Sequence, residues 1–549
     1  MKNLNKILAL LLVLAMAVSF VACAAKTEEV AEEAPVESAA EEVVEEEEKE
    51  PYTVTICMQA GTGVEEAWQA VADAYMAKNP EATIVVDLKP SEGYNDWART
   101  VSADYQTTDA DIVAVNIIPE RTEDMTIDLN EYMENVNPYD AEGKIWKDCF
   151  NFDAQTRDTI TGRMDCISLD SVQVAWFYNK DMFAEVGVEP PKTWEDMIDV
   201  CEKLSAAGYQ PISVEGDLKS FYEMRMGWLL RCYGDQTYRL ALEEFRAQPG
   251  DYCYDEDIDG TFVLDVTDPW NDQGSKVHVN PVRFANGILD GSYSADNAGY
   301  HTIWENVLKV FPQYAGGDAF YGCTDCLPAF YRGEAGMIMN TTGFAVSFAR
   351  DMKKIESGEG VTFGAGTDSE EVDTNLSTFE LGMFNMPNMT GEGLDANTRT
   401  IEVAIGFMGA FNKGAEHNAH VIDFLMFYSS AEGFSTFAQA GLAADWTPAG
   451  ACLVYDVEYP AEVQAAFANV EWIGNTDGRG ATFARGINDD PESTQKFYDL
   501  AVQCLKGEIT VDEYCKAQAE QHLYYYETKV CNYTEESLAH PEQEPVTKN

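Results

Sequence analysis

Positive charge is scarce in this chain. Against 95 Asp and Glu it sets 36 Lys and Arg, so its 549 residues carry a formal net charge of −59. That balance argues against nucleic acid, whose phosphates require a basic face, and against adhesion to anionic lipid. Histidine is scarce too. None of the six histidines forms an HExxH pair, and His417 and His420, one turn apart on a predicted helix, have no further ligand to complete a metal site. The chain also lacks GxSxG, a phosphate-cradling GxxxxGK, and GxGxxG after a strand. No catalytic residue, metal ligand or cofactor is therefore assigned. Carboxylate pairs for glycoside hydrolysis are unreadable among so many acids, so an exported glycoside hydrolase stays an alternative. Long apolar runs are confined to the N-terminus, and nothing after it is apolar for long enough to span a bilayer.

Cysteine is present, but a cysteine framework is not. Setting Cys23 aside, twelve of the 13 cysteines remain, at irregular spacing. Cys57, Cys166 and Cys201 fall in predicted strand or helix stripes, where cysteine acts as a small hydrophobe. Cys323–Cys326 is the lone CxxC; without a second pair it reads as thiols first, a local disulfide second, and zinc last. Asp255-x-Asp257-x-Asp259-Gly260 begins like a calcium loop, but Val266 stands where the closing carboxylate belongs, so an Asp-Gly turn is the preferred reading.

What is there begins with a leader. Lys2 and Lys6 precede an apolar run, Ile7–Phe20, and Val21-Ala22-Cys23 resembles a lipobox, with Phe20 in place of the usual aliphatic residue. Residues 1–22 are expected to be cleaved as a signal peptide and Cys23 to be lipidated. Residues 23–50 follow as a tether: Ala24–Glu50 carries twelve glutamates against two lysines and no aromatic, and cannot bury a core.

The body is 46% hydrophobic over the whole chain and reads as globular, with room for two to four domains. Thr53–Met58, Thr83–Leu88 and Asp111–Asn116 are predicted strands, alternating with helices over Glu65–Lys78 and Tyr94–Tyr105. That alternation predicts a parallel, doubly wound sheet with ligands beyond the carboxyl ends of its strands, at the loops after Met58, Leu88 and Val115. Phe177–Met197 is the most informative stretch. An apolar strand stops at Asn179, a short helix is closed by Gly187, Pro190–Pro191 hold the chain extended, and Thr193 caps a second helix with Asp196 in a capping-box position. Trp194, Met197, Ile198, Cys201 and Leu204 form its apolar stripe. Arg231–Phe320 is acidic and rich in Gly, Asp and Tyr, with little periodicity, and reads as an insertion.

The wording of Phe177–Met197 resembles the bacterial extracellular solute-binding proteins of ABC importers, the group that contains the sugar and maltodextrin binders. Asp128–Met133, Gly162–Asp170, Ala329–Phe348, Ala404–Gly414, Ala444–Gly450 and Gly507–Glu513 resemble segments of that family in the same order. The resemblance implies an α/β fold of two lobes, each a doubly wound sheet flanked by helices, joined by a multi-segment hinge. The lobe boundaries it suggests are 51–170 with 405–450 for the N-terminal lobe and 171–404 with 451–530 for the C-terminal lobe. Residues 231–320 are the insertion, and 531–549 a polar tail.

It further implies a monomeric, lipid-anchored, extracytoplasmic binding protein that is not an enzyme. By hinge closure it would capture a carbohydrate, an oligosaccharide by preference, and pass it to the membrane subunits of an ABC permease; a peptide or another small solute is the alternative. Sugars present an apolar C–H face and a polar rim, which Trp and Tyr rings and carboxylate or amide groups suit. Position selects Tyr94 and Trp97 after the second strand, Asn116 at the third, and Asp170 after the crossover strand. Glu215 and Trp228 are chosen in the second lobe, Phe344 at the family's stacking aromatic, and Asp445 with Trp446 near the last crossing.

Overall fold

The computed structural model describes residues 50–118, 122–157, 163–364, 370–394, 397–467, 474, 476–484 and 490–548. The leader, Cys23 and the acidic tether lie outside the described residues. From Pro51 onward the chain forms one compact unit.

The first sheet is built as the alternation predicts. Strand β1 (Tyr52–Ile56) leads into helix α1 (Val64–Lys78), strand β2 (Ala82–Val86), helix α2 (Tyr94–Ser102) and strand β3 (Ile112–Ala114). β1 pairs in parallel with β2 and with β3. The helix of α1 carries Glu65 and Glu66 in its first turn and Lys78 in its last, complementing the helix dipole. Its buried face, Ala67, Trp68, Val71, Ala72 and Tyr75, covers the sheet.

The second sheet is mixed. Its centre is β4 (Asp170–Asn179), with β5 (Gln210–Ser213), β6 (Ala335–Thr341), β7 (Leu381–Phe384) and β8 (Glu402–Ile405) around it. Only β5 and β6 run parallel; β6, β7 and β8 all pair antiparallel with β4. The two-residue period of β4 divides its side chains between two cores. Val174, Trp176 and Tyr178 face the larger one, and Ala175 and Phe177 a smaller aromatic one. Asn179 caps the short helix that follows, through Asp181 N and Met182 N, and Gly187 closes that helix at φ 70°. Thr193 and Asp196 form the full capping box of helix α3 (Trp194–Ala206), with Val200 rather than Ile198 completing the buried stripe.

The chain returns to the first sheet with β9 (Met408–Ala410), antiparallel to β3, and then lays down helices α6 (Ala415–Tyr428) and α7 (Ala431–Ala443) over the first core; helix α4 (Arg225–Leu240) and helix α5 (Phe344–Glu356) belong to the second body. Residues 231–320 do not hang off that body. Tyr233, Tyr238, Phe245, Tyr300 and Trp304 are buried in the same core as Trp194, whose indole donates to Asn306 O at 2.9 Å. Asp259, the last acid of the calcium-like run, is buried and accepts from Asp255 N, His278 N and the His278 ring at 2.7–2.9 Å. The polar tail is docked over 531–548. Thr534 N donates to Val546 O, the short helix Glu535–Ala539 packs on the helix Pro281–Leu289, and Asn280 Nδ2 donates to Pro541 O at 2.7 Å. All twelve described cysteines are unbonded to one another.

Candidate functional site

The chain passes between the two sheets at three neighbouring places. Ile167 bridges Met408, and three residues later Asp170 opens β4. Ile405, the last residue of β8, stands opposite Asp170; Gly406 and Phe407, both at positive φ, turn the chain into β9. The third segment brings Cys452 opposite Asp170, and Val454 opposite Phe150 of the first core. Leu453 N donates to Leu169 O at 2.7 Å, and Ser171 Oγ to Ala451 O at 2.6 Å. Asp170 thus lies at the meeting point of all three. Its Oδ1 is buried without a hydrogen-bond partner, and burial pushes its carboxyl up to about 7. Tyr428, Cys452 and Tyr459 are the titratable groups that sense it.

At the carboxyl end of the first sheet, Tyr94 is scaffold. Its ring is 1% exposed, and its hydroxyl donates to Cys57 O and accepts from Ala114 N, tying β1 to β3. No face of the Tyr94 ring is open in this structure, unlike the solute contact that the sequence suggests. Trp97, one turn on, is half-buried, with Tyr94 5.5 Å from its ring and Lys89 Nζ 5.0 Å from its centroid. Asn116 is exposed in the 3-10 turn that follows β3. Across the same mouth, Gly63 at the start of α1 fits against the 441–446 turn so closely that an added Cβ would stand 2.6 Å from Ala444 O and 2.7 Å from Trp446 N. Trp446 is half-buried, edge-on to Phe437 at 5.3 Å, and Asp445 beside it is exposed at φ 67°.

In the second body, Glu215 is buried and 3.4 Å from Arg225 Nε, and the Arg225 guanidinium lies 5.1 Å from the Trp228 ring. Trp228 is half-buried. Phe344 is enclosed as well. It is 5% exposed, and its ring is enclosed by Phe177, Phe348, Tyr331 and Phe330 at 5.1–6.3 Å, which leaves no stacking surface.

The candidates therefore form three local groups: Trp97 with Asn116, Asp445 with Trp446, and Glu215 with Trp228, while Asp170 marks the crossing. Sequence reasoning missed Lys89 and Arg225, which hold Trp97 and Glu215 from nearby in the chain, and Arg350, which reaches the Trp446 turn from 96 residues away. A cavity of about 1180 Å³ lies elsewhere, along β7, among Phe348, Met352, Phe379, Leu381 and Met383; no candidate residue lines it. Among the described residues, no group of three or more His, Cys, Asp or Glu is placed to hold a metal ion.

Two α/β bodies joined by three adjacent crossings, with half-buried tryptophans on α2, on α4 and in the turn after α7, define a class of proteins that hold small solutes between lobes. The chain belongs to the bacterial extracellular solute-binding protein family, whose profile matches residues 61–433. Among solved structures it is similar to a cyclic α-maltosyl-1,6-maltose-binding protein from Arthrobacter globiformis, at 14% identity and TM-score 0.51, covering 87% of this chain and 100% of that one. It is also similar to a family 1 extracellular solute-binding protein from Bifidobacterium longum subsp. infantis, at 14% identity and TM-score 0.50, covering 86% and 99%. No curated protein matches the chain by sequence.

Proposed function

We propose that this protein captures a carbohydrate, an oligosaccharide by preference, between its two bodies and delivers it to an ABC permease while anchored to the membrane by lipid at Cys23. The observation that carries the reading is the convergence of three chain crossings on Asp170 in a chain of the solute-binding family. A hinge of few residues lets two rigid bodies close, and a solute that touches both shifts the population to the closed form. On this reading the N-terminal lobe comprises 51–170 and 405–450, and the C-terminal lobe 171–404 and 451–530.

Carbohydrate is favoured by the character of the rim. Trp97, Trp228 and Trp446 are aromatic rings with partial exposure, and the exposed Asn116 and Asp445 supply polar groups that hydroxyls require, with Glu215 buried beside Arg225. The Arthrobacter relative is a maltosyl-maltose binder, which supports starting with glucans. The test is a thermal-shift screen of the soluble domain against mono- and oligosaccharides, with peptides as controls. A solute at 100 times its Kd should add about 2.7 kcal/mol to stability. Stabilisation by peptides alone overturns the carbohydrate assignment. Anchoring is tested separately: Cys23→Ser should move the protein from the membrane fraction to the medium.

A further inference from the structure

Arg350 lies on α5, two turns after Phe344, in the second body. Its guanidinium reaches the turn that ends α7 in the first. Nη1 donates to Asp445 O at 3.2 Å and to Thr447 Oγ1 at 3.2 Å, and Nη2 donates to Trp446 O at 3.1 Å. Nε lies 3.4 Å from Asp445 Oδ1. One side chain thus engages three consecutive residues around Trp446.

The turn needs such a partner. The last carbonyls of α7 are taken by the turn's own amides, with Trp446 N donating to Gly441 O at 2.8 Å, so Arg350 serves the Asp445 and Trp446 carbonyls beyond the helix; the turn holds Asp445 in the left-handed region, which costs a non-glycine residue about 1–2 kcal/mol. The planar fork of arginine satisfies several acceptors at once, and lysine cannot reproduce it. The contact with the Asp445 carboxylate is the weaker part, because that side chain is 74% exposed and water competes for it. On its other side the same turn is pressed against Gly63, at the mouth of the first sheet. Further along, Gly343 N, at the head of α5, donates to Ala449 O at 3.1 Å. The segment that carries Trp446 is therefore held between a cleft loop of one body and a helix of the other.

We propose that Arg350 is the positioning residue of Trp446: from the second body it fixes the ring that the first body offers to solute, so that the setting of Trp446 depends on how the bodies sit. This rests on the solute-binding reading above, and it deepens that reading by making one platform sensitive to hinge state.

The first arm of the test needs no ligand. Acrylamide quenching of the wild-type domain minus that of Trp446→Phe isolates the Trp446 emission. The same difference, Arg350→Ala minus the Arg350→Ala/Trp446→Phe double variant, should show about a twofold rise in quenching as the ring loses its setting. Arg350→Lys should fall between, and Thr447→Val, which removes one acceptor, should move the same way if Arg350→Ala does not fold. Unchanged quenching in all three variants overturns the proposal. The second arm measures affinity for the saccharide found by thermal shift. Arg350→Ala should weaken binding about tenfold in the wild-type background and less than about twofold in Trp446→Phe, because neighbours that act through one another are not additive. An equal loss in both backgrounds overturns the proposal. Failure of every saccharide to bind overturns the carbohydrate reading instead, and the quenching arm then decides the role of Arg350 alone.

Discussion

Asp170 stands antiparallel to Cys452, so a carboxylate with one buried, unpartnered oxygen occupies the seam between two crossings of the chain. Burial raises this carboxyl from its ordinary 3.8 to about 7. The unfolded chain ionises Asp170 near pH 4 while the folded chain keeps it protonated. The unfolded state then binds fewer protons, and stability falls as pH rises from about 4 to 7, by up to about 1.4 kcal/mol per pH unit. Asp170→Asn should flatten the pH dependence of the melting temperature over that window. An unchanged slope would remove Asp170 as its source.

Trp446 and Phe344 should separate cleanly. Trp446→Ala should weaken solute binding about tenfold while lowering the melting temperature less than Phe344→Ala does. Phe344→Ala should cost about 3–5 kcal/mol of stability, because it opens a cavity among Phe177, Phe330 and Phe348. Denaturant unfolding and calorimetric titration of both variants check the contrast; a large affinity loss in a stably folded Phe344→Ala would reverse the assignment.

Gly63→Ala should be costly for a residue outside both cores. The φ of 70° and the backbone oxygens 2.6–2.7 Å from the new Cβ leave no room, and strain and displacement together predict a loss of about 2–4 kcal/mol. Chemical denaturation gives the number. Since Trp446 N is the third atom in the way, solute affinity should fall with it.

Arg399 ties the 231–320 region to the second body. It is buried and donates in fork fashion to Asp235, also buried, at 2.7 and 2.8 Å, and to Asp272 at 2.6 and 3.0 Å. Arg399→Leu leaves two carboxylates without their cation and should cost about 3–5 kcal/mol, measured by urea denaturation. A loss below about 1 kcal/mol would mean that the loop bearing Asp272 moves away without consequence.

Local signals explain why much of this molecule can be read from its sequence. The β-branched runs at Tyr52–Ile56 and Ala82–Val86, the Asn179 and Thr193 caps and the glycine at 187 act within a few residues of themselves, and their structure follows the pattern. The 231–320 region has short capped helices at Pro281–Leu289 and Ala298–Val307 but little period between them, and its order is completed by partners outside it, such as Trp194 with Tyr233. The same holds for 531–548, where polar residues dominate and only Cys531, Tyr533 and Leu538 pack against the core. At the site, Trp97 is half-buried on α2 and Asn116 exposed after β3, but burial is a tertiary property that the sequence does not display. Tyr94 and Phe344 look like platforms in one dimension and are enclosed in three. Arg350 has no signature at all, since its acceptors lie 95 to 97 residues away.

The position of β9 has a consequence for biogenesis. The first sheet begins at Tyr52 yet takes its last strand from Met408–Ala410, and its covering helices end only at Ala443. Every strand of the second sheet is synthesised in between. The N-terminal third of the chain therefore emerges from the ribosome without the partners that would trap it in a folded state, and such long-range closure is slow. The first sheet therefore lacks its edge strand until residue 410 has been made, and two of its covering helices until residue 443.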